Sequence, residues 1–106
     1  MATGSKLGEG LKTVAEAGKA VALPTSGNKG GAALSVLVQA LYSNEGRIAV
    51  GGEGVKAKEG SHASPEQLGI GLEKGQYASF DVNDAAQIWI DATKSGDGVT
   101  YTVLFA

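Results

Sequence analysis

Residues 87–105 of this chain are QIWIDATKSGDGVTYTVLF. Large apolar side chains recur at every second position on both sides of a polar segment, residues 94–98. Alternation with a period of two is typical of a β-strand with one buried face, because successive side chains point to opposite faces. The glycines and the aspartate in the polar segment favour a tight turn. We therefore predict strands at 87–92 and 99–105, joined by a hairpin.

Similar apolar runs, each bounded by glycine, proline or polar residues, occupy most of the chain upstream. The 17 glycines are more than twice the average usage of about 7% and fall between the apolar runs. The predicted strands lie at residues 19–23, 33–41, 47–50, 68–72 and 77–82. Both faces of the 33–41 strand are predicted to be buried, because it is rich in branched apolar residues. About seven strands without a long helix predict an all-β fold, a single antiparallel β-sandwich or jelly-roll-like domain.

The first 18 residues differ from the rest. Residues 1–18 are small, polar and rich in glycine, and we interpret them as an extended N-terminal arm that precedes a β-sandwich domain at residues 19–106. A short helix is the alternative, because Leu7, Leu11 and Val14 have spacings that would line one of its sides, although glycine costs about 1 kcal/mol in a helix interior. We expect the arm to order on a partner protein.

The single tryptophan, Trp89, is a further candidate for partner binding. On its predicted strand it lies on the face opposite Ile88 and Ile90. Tryptophan is most often a core residue, but it is also enriched at the centres of protein interfaces. The candidate partner-binding residues are therefore Leu7, Leu11, Val14 and Trp89.

Length and charge limit the classes of function. With 106 residues the chain has room for one domain, and without cysteine it has neither disulfides nor thiolate ligands. Nine basic and eleven acidic residues are spread along the chain, so no basic block is present that would follow a nucleic acid backbone. The longest apolar stretch, residues 32–42, is too short to cross a bilayer. We expect a soluble, non-secreted protein without a nucleic acid or membrane partner.

The residues that carry catalytic chemistry are sparse and scattered. His62 is the only histidine and lies in a polar loop beside Ser61 and Ser64. We interpret it as a solvent-exposed loop residue. Four aspartates near strand ends are predicted to cap turns, with a calcium site as the minor alternative: Asp81, Asp84, Asp91 and Asp97. The glycine-rich residues 51–54 and 69–71 precede no predicted helix and are interpreted as turns or bulges. We predict no catalytic residue, metal or cofactor, and no enzymatic activity.

Six segments, spread over most of the chain, have a characteristic order: AGKAVAL at 17–23, VLVQA at 36–40, NEGRIAVGG at 44–52, LEKG at 72–75, IWIDA at 88–92 and GDGVTY at 96–101. In this order the chain resembles a family of short virion-associated proteins of tailed bacteriophages. Two regions depart from the family pattern: residues 55–67 are longer than the usual link, and the N-terminal arm has no counterpart. Members of the family are similar in being β-domains that decorate or cement the capsid or form part of a virion appendage.

The resemblance implies a capsid decoration or cement protein. Such a protein would be made in the host cytoplasm, bind the major capsid protein on the outer surface of the phage head, and form a homotrimer at local threefold junctions. The alternative is a receptor-binding, head-fibre or tail or neck appendage module of the virion, for which exposed aromatic residues and the 56–67 loop would form the binding surface. A small carbohydrate-active enzyme or lectin is the third and least favoured interpretation.

Overall fold

The computed structural model describes residues 6–24, 34–57 and 68–105, which form eight β-strands and one turn of 3-10 helix. The strands lie in two antiparallel sheets of four strands each. This arrangement confirms the predicted all-β sandwich. The strand count is one higher than predicted, because part of the expected N-terminal arm is itself a strand.

The first sheet, which we call the front sheet, contains the longer strands. In chain order these are β1 (Lys6–Thr13), β3 (Leu34–Ala40), β6 (Tyr77–Val82) and β8 (Gly98–Phe105). Their order across the sheet is β1-β8-β3-β6, so β1 and β6 are its two edges. Pairing is antiparallel throughout, and every residue of β1 has a partner in β8.

The second sheet, the back sheet, contains shorter strands. These are β2 (Val21–Ala22), β4 (Ile48–Gly51), β5 (Ile70–Leu72) and β7 (Trp89–Ala92), with the 3-10 turn Ala85–Gln87 leading into β7. Their order is β2-β7-β4-β5. The pairs β1–β8, β2–β7, β3–β6 and β4–β5 are nested in the chain and alternate between the two sheets. Such nesting is the order of a jelly roll, one of the two architectures that the sequence predicts.

The core lies between the sheets and consists of the side chains at alternate strand positions. In β3 these are Val36, Val38 and Ala40, and in β8 they are Val99 and Val103, all buried. The back sheet supplies the other half of the same cluster, which is Ile48, Val50, Leu72, Ile90 and Ala92, with Ile88 at the entrance to β7. Because one face of each strand is buried, the strand registers are strongly specified.

The predicted hairpin over residues 94–98 is wrong, since β7 and β8 lie in different sheets. The segment crosses from the back sheet to the front sheet, where β8 pairs with β1 on one side and β3 on the other. Val14 secures the crossing: its N–H donates to the Asp97 carbonyl over 2.8 Å, and its carbonyl accepts from Gly96 N–H. Turn-forming residues favour a change of chain direction, but they do not specify which strand will pair with β8.

The separate N-terminal arm also requires correction. Lys6–Thr13 is extended, as predicted, but it pairs along its whole length with β8, so it belongs to the sandwich and the helical alternative is excluded. Gly98 permits this pairing: a Cβ there would meet the carbonyl oxygen of Lys12 and come within 2.8 Å of the Thr13 Cα. Residues 1–5 lie outside the described part of the chain.

The long excursion predicted after β4 is described only at its two ends. Lys56 and Leu68 bridge across its base through two backbone hydrogen bonds of 2.9 Å. His62, Ser61 and Ser64 fall outside the described residues. Among those residues, no helix has the length and apolar character needed to cross a membrane.

Candidate interaction surface

The outer face of the front sheet exposes four large apolar side chains. Leu37 lies on the central strand β3 and Leu104 on its neighbour β8, whereas Tyr77 and Leu11 lie on the two edge strands. Their exposed fractions are 40% for Leu37, 46% for Leu104, 68% for Tyr77 and 58% for Leu11. The prediction that both faces of this strand are buried is therefore wrong, because only the side toward Val36 and Val38 faces the core.

Three of these side chains form an oblique stripe across the sheet. Leu37 is directly opposite Thr102 on β8 and Ser79 on β6, so Leu104 and Tyr77 are its diagonal neighbours, two residues along each adjacent strand. Diagonal neighbours on a sheet face are within reach of long and aromatic side chains. We call Leu104, Leu37 and Tyr77 the apolar stripe.

The remainder of this face is mostly polar, and the strand register also pairs Glu9 of β1 with Thr102. The positions beside the apolar stripe are Ser35, Gln39, Ser79, Thr100 and Thr102. Among the described side chains of this face, Asp81 is the one charged residue, and it accepts a 2.8 Å hydrogen bond from the Ser35 hydroxyl. Contiguous exposed apolar surface, such as that of the apolar stripe, is typical of an interaction site.

The outer face of the back sheet, by contrast, is covered by the chain itself. Ala49 on β4 is fully buried there, packed with Val55 and Ala57 from the segment that follows the strand. Ala20 and the half-buried indole of Trp89 pack against the same cluster. These five residues form a second, smaller core outside the sandwich, so the centre of this face is covered by the chain.

Asp91 holds the covering segments against the back sheet. Its side chain is 1% exposed and lies on the outer side of β7 with Trp89. One carboxylate oxygen accepts from Gly18 N–H at 3.1 Å and from Ala92 N–H at 2.8 Å, and the other accepts from Ala57 N–H at 2.9 Å. Hydrogen bonds to an ionised acceptor are stronger than those between neutral groups. The carboxylate therefore joins two segments that are distant in sequence.

A second buried carboxylate, Asp97, closes one end of the sandwich. It accepts from the N–H groups of Glu45 and Gly46 over 2.8–3.1 Å. Beside it, the Asn44 side chain donates to the Gly98 carbonyl and accepts from Gly98 N–H, both at 2.9 Å. The loop before β4 is thereby fixed to the start of β8.

The aspartates thus have structural partners. Asp84 caps the 3-10 turn by accepting from Ala86 N–H at 2.9 Å, which confirms the predicted capping role at this position. Asp91 and Asp97 bind backbone N–H groups of remote segments, a role that the turn-capping prediction did not include. Within the described ranges, no cluster of three or more metal-binding side chains is found.

Comparison with known proteins gives no relative. The sequence matches no protein family and no curated protein, and the fold has no significant match among solved structures.

The four predicted partner-binding residues do not form one surface. Leu11 is exposed on the front sheet, and Leu7 pairs with Leu104 at the same sheet's edge strand. Val14 is fully buried in the main core, so it is not accessible to a partner. Trp89 lies on the opposite side of the molecule, in the covered face of the back sheet.

Sequence reasoning missed the three residues of the apolar stripe. The exposure of Leu37 could have been predicted, because it lies on the same strand face as the polar Ser35 and Gln39. Val36 and Val38 lie on the opposite, buried face. Leu104 likewise follows Thr100 and Thr102 in the polar phase of β8. Their meeting with Tyr77 depended on strand order, which no local pattern indicates.

Proposed function

We propose that this protein is a non-enzymatic structural module that packs against other protein subunits through the outer face of its front sheet. More narrowly, we propose a decoration or cement protein of a tailed bacteriophage, which binds the major capsid protein on the outside of the head. The observation that carries the proposal is the exposed apolar stripe of Leu104, Leu37 and Tyr77 on this face.

The physical character of this face favours a protein partner. Interface centres are depleted in charged residues, and removing serine, threonine and leucine from water costs less than removing charges. The face is built on paired strands, and its side chains therefore have fixed spacing. Buried hydrogen bonds of Asp91 and Asp97 tie the remote loops to the sheets, which suits a rigid body that bridges neighbouring subunits.

The fold and the family resemblance support the narrower proposal. Double-sheet jelly rolls occur in viral capsid proteins, although they also occur in lectins, and a fold alone does not assign a function. The sequence segments described above resemble virion-associated proteins. A cement protein occupies many equivalent sites, so even weak individual contacts add up to a large stabilisation of the shell.

Occupancy of the virus particle tests this proposal. In particles assembled with the unaltered chain, mass spectrometry should find the protein at a copy number comparable with that of the capsid subunits. The double variant Leu37→Lys, Leu104→Lys should be lost from the particles, because binding would bury two unpaired charges. Leu68→Lys is the control: Leu68 is 55% exposed and lies at the base of the excursion after β4, where it bridges to Lys56. Equal occupancy by both variants would refute the role of this face.

The appendage or receptor-binding module remains the second candidate because of two exposed tyrosines. Tyr42 is 76% exposed and its ring lies over Gly75, two residues before Tyr77. Exposed aromatic residues are enriched at binding hot spots. A few copies per particle, in place of a number near that of the capsid protein, would favour this candidate.

A further inference from the structure

The four sheet edges of this molecule differ in how they are protected. An open edge presents unpaired N–H and C=O groups, and proteins limit pairing with other chains by short edge strands or by charges that point inward. The back sheet has short edges, of two residues in β2 and three in β5. The front sheet has long edges, of eight residues in β1 and six in β6. Among the described strands, only those of the front sheet therefore offer an edge long enough to pair with another chain.

One long edge, β1, carries a protecting charge. Lys12 is opposite Val99, whose side chain is fully buried, so Lys12 lies on the core side of the edge strand. A strand added beside β1 would enclose this half-buried lysine. An inward-pointing charge of this kind disfavours pairing at the edge.

The other long edge, β6, has no such charge on its core side. The core-facing residues of β6 are Ala78, Phe80 and Val82, all apolar and all still partly exposed. Along the residues that the structure describes, β6 pairs with β3 on one side and with no strand on the other. An additional strand would cover the remaining exposed surface of Phe80 and Val82.

The free backbone groups of β6 belong to the residues of the outer face. Ala40 N–H donates to the Gln76 carbonyl at 2.9 Å, so this carbonyl points toward β3. In an antiparallel strand, the N–H and C=O groups of successive residues point to alternate sides. Ala78 and Phe80 therefore also pair with β3. Tyr77, Ser79 and Asp81 direct their N–H and C=O groups to the open edge. Three consecutive outer-face residues thus offer six backbone groups for pairing.

We propose that β6 pairs antiparallel with β6 of a second copy of this chain, about a two-fold axis at Ser79. In this register Ser79 faces its counterpart, and Tyr77 faces Asp81 of the second copy. The strand's only charge, Asp81, is then opposite a tyrosine, not opposite the identical carboxylate. Like charges directly opposite one another destabilise a sheet, so the charge pattern fits a second copy in this register. The interface is isologous, as a two-fold axis requires.

Pairing at β6 would join the two front sheets into one sheet of eight strands. Tyr77 is on β6, so the apolar stripes of the two copies would become one surface across the axis. This inference stands whether or not the protein belongs to a virion. It yields a dimer, whereas the family resemblance implies a trimer, and the two are distinguished by mass in solution. Pairing of one strand buries less surface than a standard interface, so we expect a concentration-dependent dimer.

A disulfide at the proposed axis gives a direct test in this cysteine-free chain. Under mild oxidation, Ser79→Cys should form a disulfide-linked dimer on a denaturing gel, because the two Cα atoms of a hydrogen-bonded antiparallel pair are about 5.5 Å apart, within disulfide range. Thr100→Cys is the matched control, exposed on the same face but on an interior strand. On the denaturing gel it should run as a monomer, because its cysteines are not brought together at the axis. Equal crosslinking of both variants, or of neither, would overturn the proposal.

Proline substitution tests the backbone pairing without a crosslink. Ser79→Pro removes an N–H that points away from β3, so the pairing of β6 within its own sheet should survive. Sedimentation of the unaltered chain should show a dimer at high concentration. The variant's dissociation constant should rise roughly tenfold or more, because each copy loses a central hydrogen bond. Leu11→Pro, the corresponding change on the open edge of β1, should leave the dimer intact. A monomer at all concentrations, a trimer, or equal effects of both prolines would contradict the inference.

Discussion

The two outer faces of this sandwich have opposite surfaces. On the back sheet, Ala49 is fully buried beneath Val55, Ala57 and Trp89, and Asp91 ties the covering segments to β7. On the front sheet, Leu37 occupies an equally central position but remains 40% exposed, with no described segment above it. One face is therefore covered by the chain itself, whereas none of the described segments covers the other. This difference is the reason why we propose the front sheet as the partner-binding face.

Asp91→Ala, on the covered face, is expected to lower the free energy of unfolding the most. The N–H groups of Gly18 and Ala57 would lose their acceptor in a buried site, and Ala92 would lose one of its hydrogen bonds. Three lost hydrogen bonds predict a decrease of about 3 kcal/mol in the free energy of unfolding, measured by chemical denaturation. Fluorescence of Trp89, the only tryptophan, should shift to longer wavelength as the cluster opens.

Two matched changes sharpen that prediction. Asp91→Asn keeps the shape and one acceptor oxygen, and should cost roughly half as much. Asp81→Ala removes an exposed carboxylate from the open face and should alter stability by less than about 0.5 kcal/mol. If Asp91→Ala were as mild as Asp81→Ala, Asp91 would not hold the covering segments.

An intermediate effect is expected from Trp89→Ala. The indole is half-buried against Ala20 and the cluster around Ala49, so its removal should lower the free energy of unfolding by about 2 kcal/mol, less than for a fully buried tryptophan. Thermal unfolding followed by circular dichroism measures this loss. Particle binding should remain intact at temperatures where the variant is folded. Loss of binding by a folded Trp89→Ala would place the partner on the back sheet.

The smallest effect on stability is expected from Leu37→Thr on the open face. A leucine that is already 40% exposed contributes little burial, and threonine suits a strand, so stability should change by less than about 0.5 kcal/mol. The adjacent change Val38→Thr keeps nearly the same side-chain shape but places a hydroxyl in the core. It should lower the free energy of unfolding by about 1–3 kcal/mol. Denaturation curves of the two variants compare the faces of one strand. Equal losses would mean that the front face is covered.

Much of the strand content was predictable from local pattern. The alternation in residues 77–82 predicted β6 with its observed bounds, and the apolar run at 33–41 contained β3. The hairpin at 94–98 was wrong for a physical reason: a turn specifies where the chain reverses, whereas β8 is positioned by its pairing with β1 and β3. Glycine content suggested an extended arm at residues 1–18, but Gly10 and Gly98 allow close packing around β1.

The candidate surface was less predictable than the fold. Leu11 was proposed for partner binding and is exposed, but Val14 is a core residue because, three residues later, it lies in the opposite, core-facing phase of the β1 register. Leu37, Leu104 and Tyr77 come from three strands that are distant in sequence. Only the order β8-β3-β6 makes them neighbours.

The amino-acid sequence alone determined that this chain forms layered β-sheets. Period-two alternation between glycine-rich turns fits strands that bury one face, and it does not fit the 3.6-residue period of a helix. Tertiary structure decided the nested pairing, the exposure of Leu37 and the burial of Asp91. These features depend on which remote segment covers each face. Such contacts are set by the free energy of packing the entire chain, and no local pattern encodes them.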